Sequence, residues 1–189
     1  VPCYMPFLPL LALLGHPVVQ VPMLRGEGGW SLDETALDTA FAAGARMLLL
    51  CNPHNPIGKV YARAELQRIA VIVARQDARV FADEIHAPLA LGDVRHVPYA
   101  SVSRSAAAHA ITAVSVSKGW NLAGMKCAQL VFGNDDDLAQ VTLGRDGAFK
   151  ATKKGALFVD HTTVSARIAR QLSVEAEGLG LLSVDAPVS

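Results

Sequence analysis

Uninterrupted apolar runs of strand length alternate with segments of helical spacing along most of this chain. Residues 46–51 (Arg-Met-Leu-Leu-Leu-Cys), 79–82, 110–116 and 127–132 read as short strands. Apolar runs without polar alternation suit strands covered on both faces, as in a parallel sheet. Between them, residues 63–76 bring Leu66, Ile69, Ala70 and Val73 to one helical face. Residues 35–43 read as a helix opened by capping-box spacing from Ser31 to Glu34 and closed by Gly44. The alternation predicts an α/β fold, a mostly parallel sheet with helices on both faces.

The flanks carry weaker patterns. Residues 7–14 read as a short apolar helix ended by Gly15, 18–21 as a strand, and 25–30 as a polar, glycine-rich turn. Beyond Gly133, Asp135, Asp136 and Asp137 suit the start of a helix through its dipole. Residues 144–154 are polar and irregular. Residues 163–177 regain helical spacing through Val164, Ile168 and Leu172, and Gly178-Leu179-Gly180 ends it.

Composition narrows the class. Of the 189 residues, 51% are apolar and 18% charged, below the roughly 25% charged of an average domain. That favours a buried sheet over a disordered chain. The formal charge is zero and no basic stripe appears, which argues against a nucleic-acid partner. The first 24 residues are nearly free of charge, yet Pro2, Pro6, Pro9, Pro17 and Pro22 interrupt them. No apolar stretch there reaches the ~20 residues of a spanning helix, and the basic start and cleavage site of a signal peptide are missing. This segment therefore reads as buried structure, with no membrane partner. Cys3, Cys51 and Cys127 are odd in number and widely spaced, which suits free thiols in a reducing cytoplasm rather than a disulfide framework. Cys51 and Cys127 end apolar runs and read as buried. The chain opens at Val1 inside an apparent β-α unit and reads as a fragment.

Three polar clusters follow the apolar runs: Asn52-Pro53-His54-Asn55-Pro56-Ile57-Gly58, Asp83-Glu84-Ile85-His86, and Ser115-Val116-Ser117-Lys118, the last extending to Lys126. Ligands of open α/β sheets bind at the C-terminal ends of the strands, so periodicity alone brings these clusters to a ligand-binding edge. A lysine there, between small hydroxyls and with a second cation eight residues on, suits a covalent aldehyde cofactor. Its amine can form a Schiff base while hydroxyls and cation hold a phosphate. Asp83, at a strand end, can point to a ring nitrogen. Plainer readings stand beside these: Asp83 as a cap, Asn55 as a turn former, His86 and Trp120 as packing at a rim. Cys51, His54 and His86 lack the paired spacing of a zinc site, so no metal is expected.

Taken together, the clusters resemble the pyridoxal-phosphate (PLP) site of fold-type I aminotransferases. More narrowly they are similar to the aminotransferase-like carbon–sulfur lyases of the MalY/PatB cystathionine β-lyase type. The resemblance spans residues 1–134 and implies the PLP-binding part of a large domain, leaving 135–189 as a tail open between a linker and the start of a small domain. It implies that Lys118 forms the Schiff base, Asp83 keeps the ring nitrogen protonated, and Asn55 bonds the ring oxygen. Ser115, Ser117 and Lys126 would hold the phosphate, and Tyr4 would stack on the ring. His86 and Lys126 stand where typical aminotransferases have Tyr and Arg, as in the lyase branch.

The activity so implied is α,β-elimination from cystathionine, cysteine or a cysteine S-conjugate, giving thiol, pyruvate and ammonia. The implied partners are a small amino-acid substrate and, in the full-length protein, a second copy in a homodimer. An aminotransferase stays open. So does a truncated, non-catalytic binding or regulatory protein, because the family's glycine-containing phosphate loop and carboxylate-binding Arg find no match. Arg167 and Arg170 match that Arg by type only.

Overall fold

In the computed structural model, residues 2–122, 124, 128–132, 134–145, 147–160 and 164–185 are described. The chain forms two compact units, Val1–Ala128 and Gln129–Ser189.

The first unit starts with helix α1 (Phe7–Leu13), whose C-terminal turn Gly15 leaves at φ +75°. Residues 18–21 are not a strand. Pro17 and Pro22 lack the N–H that a sheet ladder needs, and pairing begins only at β1 (Met23–Gly26), antiparallel to β2 (Gly29–Leu32). The expected turn thus shrinks to Glu27 and Gly28, and Arg25 and Trp30 face each other as strand partners. Ser31 is held in β2 opposite Leu24, so Asp33 takes the capping role instead. Its Oδ1 accepts from Ala36 N at 2.9 Å and opens α2 (Glu34–Ala42).

The centre of the unit is three parallel strands in the order β3 (Met47–Cys51), β4 (Arg79–Asp83) and β5 (Ala110–Val114). Helix α3 (Arg63–Arg75) connects the first two, with Glu65 Oε2 accepting from Ala62 N at 2.8 Å at its start. Its apolar face buries Leu66, Ile69, Ala70, Ile72 and Val73. Helix α4 (Arg104–His109), capped by Ser103, leads into β5. Leu37 and Phe41 of α2, the α3 face and Ala106 of α4 form one core with Leu48, Leu50, Val80 and Ala82 of the sheet. On the opposite sheet face Met47 is 52% exposed, so within this unit β3 is not covered evenly on both sides.

Register brings the polar clusters to a common edge. Cys51 pairs with Asp83, and Asp83 with Ala113, so the three strands finish level. β5 ends at Val114, two residues earlier than its apolar run suggests. Ser115 turns the chain and Val116 already belongs to the one-turn helix α5 (Val116–Gly119).

The second unit holds β6 (Gln129–Phe132), α6 (Asp135–Leu143), α7 (Ala148–Ala151), β7 (Leu157–Asp160), α8 (Ala166–Gly178) and β8 (Leu182–Asp185), with β7 parallel to β8. Asn134 caps α6, accepting from Asp137 N at 2.9 Å, and the three aspartates fill its first turn. Ser165 caps α8, which buries Ile168, Leu172 and Ala176. Val164 therefore precedes the helix rather than forming part of its face. Asp135 joins the two helices by accepting from the N–H and hydroxyl of Ser165 and by pairing with Arg167 at 3.2 Å.

Candidate functional site

The level strand ends frame a small cleft lined by Tyr4, Cys51, Asn55, Asp83, Ile85, His86 and Lys118. All of these residues lie in the first unit.

Asp83 closes β4 and is 8% exposed. Its Oδ1 accepts from Ile85 N at 3.2 Å. Burial pushes the carboxyl upward from its ordinary value, against the pull of the Ile85 N–H, His86 and Lys118, while neighbouring Glu84 pushes it further up. A buried carboxylate of this kind favours a cationic partner.

Lys118 reaches the cleft from the single turn of α5. Ser115 begins that turn by accepting from Ser117 N at 3.0 Å, and the two hydroxyls bond each other at 2.7 Å. Both serines therefore shape the lysine turn, and neither lines the cleft. Lys126 lies outside the described residues.

The loop after β3 supplies Asn55. Asn52, fully buried, pins the loop's start: its N–H donates to Asp83 O at 2.9 Å, its Oδ1 accepts from Tyr61 N, and its Nδ2 donates to Val97 O, both at 3.2 Å. His54 N donates to Lys59 O and Gly58 N to His54 O, each at 2.7 Å, with Gly58 at φ +67°. Cys51 Sγ donates to Pro53 O at 3.3 Å and accepts from Asn55 N at 3.4 Å. Burial pushes this thiol from 9.0 up to about 11, opposed by the Asn55 N–H and reinforced by Asp83.

Tyr4 stands at the mouth, its ring edge-to-face with Phe7 at 5.1 Å. His86 follows β4 and precedes a 3₁₀ turn at Ala87–Leu89. Five residues singled out in the sequence, Tyr4, Asn55, Asp83, His86 and Lys118, thus meet around one space. Cys51 and Ile85 were not singled out for the site. Their adjacency to the Asn52 and Asp83 clusters was the available signal. Trp120 is largely exposed and is not among the lining residues. A second hollow, in the second unit, has Asp160 and Asp185 in its wall but, among the described residues, no amine or imidazole.

Chemically, the cleft combines an amine, a buried carboxylate, an amide, an imidazole and an aromatic ring. This donor set fits a planar, nitrogen-containing ring that bears a carbonyl.

A family model described as aminotransferase class I and II matches residues 1–171. A cystathionine β-lyase of Corynebacterium glutamicum is 41% identical over 72% of this chain and 35% of its own length. The structure of cystalysin from Treponema denticola, which contains a pyridoxal 5'-phosphate cofactor, aligns with TM-score 0.73 at 31% identity, covering 77% of this chain and 37% of that one. N-succinyldiaminopimelate aminotransferase from Mycobacterium tuberculosis aligns with TM-score 0.63 at 34% identity, over 67% of this chain and 33% of its own. The chain spans about a third of the length of the curated relatives it matches.

Proposed function

This chain belongs to the aminotransferase class I and II family, and from that premise we propose that it is the cofactor-binding part of a PLP-dependent carbon–sulfur β-lyase acting on cystathionine or a cysteine S-conjugate. The observation that carries the reading is the meeting of Lys118 and Asp83 in one cleft at level strand ends.

PLP, when bound, supplies the electron sink for the carbanion formed at the substrate α-carbon. The chain's own residues do the rest. Lys118 Nζ would hold the cofactor covalently, and the same lysine amine, when free, would be the base for the substrate α-proton. Asp83 would keep a proton on the ring nitrogen. Its burial suits that task, since an ionised carboxylate with little water gains most from a cationic neighbour. Asn55 would donate to the ring oxygen, Tyr4 would stack on the ring, and His86 would border the cofactor, all three lining the same cleft. Ser115 and Ser117 shape the turn that presents Lys118, and with Lys126 they are the residues that would hold the phosphate.

The lyase reading draws support from His86, and from Lys126 in the same sense, as the variants of the lyase branch, and from the likeness to named cystathionine β-lyases. An aminotransferase is the second reading, favoured by the likeness to an aminotransferase structure at 34% identity. A small amino-acid substrate and a homodimer complete the proposal. A cytoplasmic setting is supported by the free buried thiol of Cys51. Among the described residues no helix is long and apolar enough to cross a membrane.

The test is product analysis of the protein carrying this sequence, given PLP and a cysteine S-conjugate without any keto acid. Equal amounts of thiol, ammonia and pyruvate over many turnovers are expected. One turnover followed by a stall that a keto acid relieves assigns the aminotransferase instead.

A further inference from the structure

Glu84 sits beside Asp83 but faces the other way, as successive residues of extended backbone do. It is 2% exposed, and all four of its polar groups are engaged. Its N–H donates to Ala113 O at 2.8 Å and its carbonyl accepts from Ala87 N at 2.9 Å. Oε1 accepts from Tyr99 N at 2.7 Å, and Oε2 lies 3.0 Å from His96 Nε2. Toward a carboxylate that ring nitrogen is the donor, and Nδ1 of His96 is buried with no hydrogen-bond partner among the described residues. The imidazole is therefore held through Glu84.

These contacts join the end of β4 to residues 12 and 15 positions further along. They close the base of the segment that carries His86 into the cleft. The middle of that segment packs little of its own surface, with Leu91 81% exposed. A carboxylate is an expensive group to bury, and an apolar side chain of similar volume is commonly as stabilising. What an apolar replacement lacks is the directional grip on two donors.

We propose that Glu84 is a positioning residue for the cleft: by clamping Tyr99 N–H and His96 behind the strand end, it fixes where Asp83 and His86 face. For its effect on cofactor the proposal rests on the PLP reading above. For its effect on the segment it does not.

The experiment uses the whole chain with two measurements, hydrogen exchange of residues 85–98 without cofactor, and PLP trapped on Lys118 by borohydride at sub-saturating concentration. Losing two buried hydrogen bonds to a charged group, Glu84→Ala is expected to speed exchange in 85–98 about tenfold or more, and to lower the trapped fraction about tenfold. Exchange within α3 should stay unchanged. Glu84→Gln keeps an acceptor for Tyr99 N–H and should stay within about threefold of the parent in both measurements. If Glu84→Ala fails to fold, His96→Ala, which removes one of the two donors, should give the same pattern at smaller size. Unchanged exchange in 85–98 overturns the proposal, as does faster exchange with an unchanged trapped fraction. A parent chain that traps no cofactor overturns the PLP reading itself and the positioning role within it. The exchange data, recorded without cofactor, separate that failure from failure of the clamp.

Discussion

Gly119 lies against Pro88 so closely that a Cβ on the glycine would come 2.6 Å from the proline Cβ. The turn that presents Lys118 is thus seated directly on the segment that follows Asp83 and carries His86. The two halves of the cleft are built to one tolerance, set by the missing side chain of a glycine. Gly119→Ala forces Pro88 or α5 to move. The expected outcome is a loss of about 1–3 kcal/mol of stability from overpacking, with a larger fall in cofactor capture than in helix content. Denaturant melts paired with PLP titration check this.

In the proposed reading Lys118 is the single covalent anchor. Borohydride treatment of the PLP-loaded chain should leave the cofactor on Lys118, found by peptide mass spectrometry. Lys118→Ala should remove both the adduct and the visible absorption of the bound cofactor. An adduct on Lys59 or Lys126 instead would sink the assignment.

Asp83 combines a stability effect with a functional one. Burial raises its proton affinity in the fold, so it favours the folded state while protonated and opposes it once ionised. Its stabilising contribution is complete below the ordinary value of 3.8 and is lost as pH rises through the raised folded value. Without cofactor, Asp83→Asn should therefore melt at a higher temperature than the parent at pH 7, with the gap closing as pH falls toward 3.8. The same substitution should slow catalysis about 10²-fold or more, since one preorganised charge is gone from a partly dry site. Thermal melts across pH, beside turnover assays, measure both.

Cys51 should be a poor nucleophile despite lining the cleft. With its thiol pushed from 9.0 to about 11, the thiolate fraction at pH 7 falls about 100-fold. Alkylation by iodoacetamide at pH 7 should mark Cys3 well before Cys51, and bound PLP should slow Cys51 further. Peptide mapping over time reads the order. Rapid labelling of Cys51 would mean that the strand end is open to solvent.

Features written within one turn of helix or one length of strand could be read directly from the residues. The face of α3 follows from Leu66, Ile69, Ala70 and Val73 at helical spacing, and the apolar runs of β3, β4 and β5 need no partner to be recognised. Because each polar cluster directly follows such a run, the gathering of Asn55, Asp83 and Lys118 at one edge was also legible. The remainder took shape only in the folded chain, because pairing register and non-local hydrogen bonds depend on which segments come together. Hairpin register gave the α2 cap to Asp33 and put Ser31 in β2. The short strands β7 and β8 exist through each other and carry no signal of their own length. Ser115 and Ser117 bond each other and build the lysine's turn. Glu84 found its donors at His96 and Tyr99 only once the chain had closed on itself, and a buried carboxylate is settled by such distant partners rather than by its neighbours in sequence.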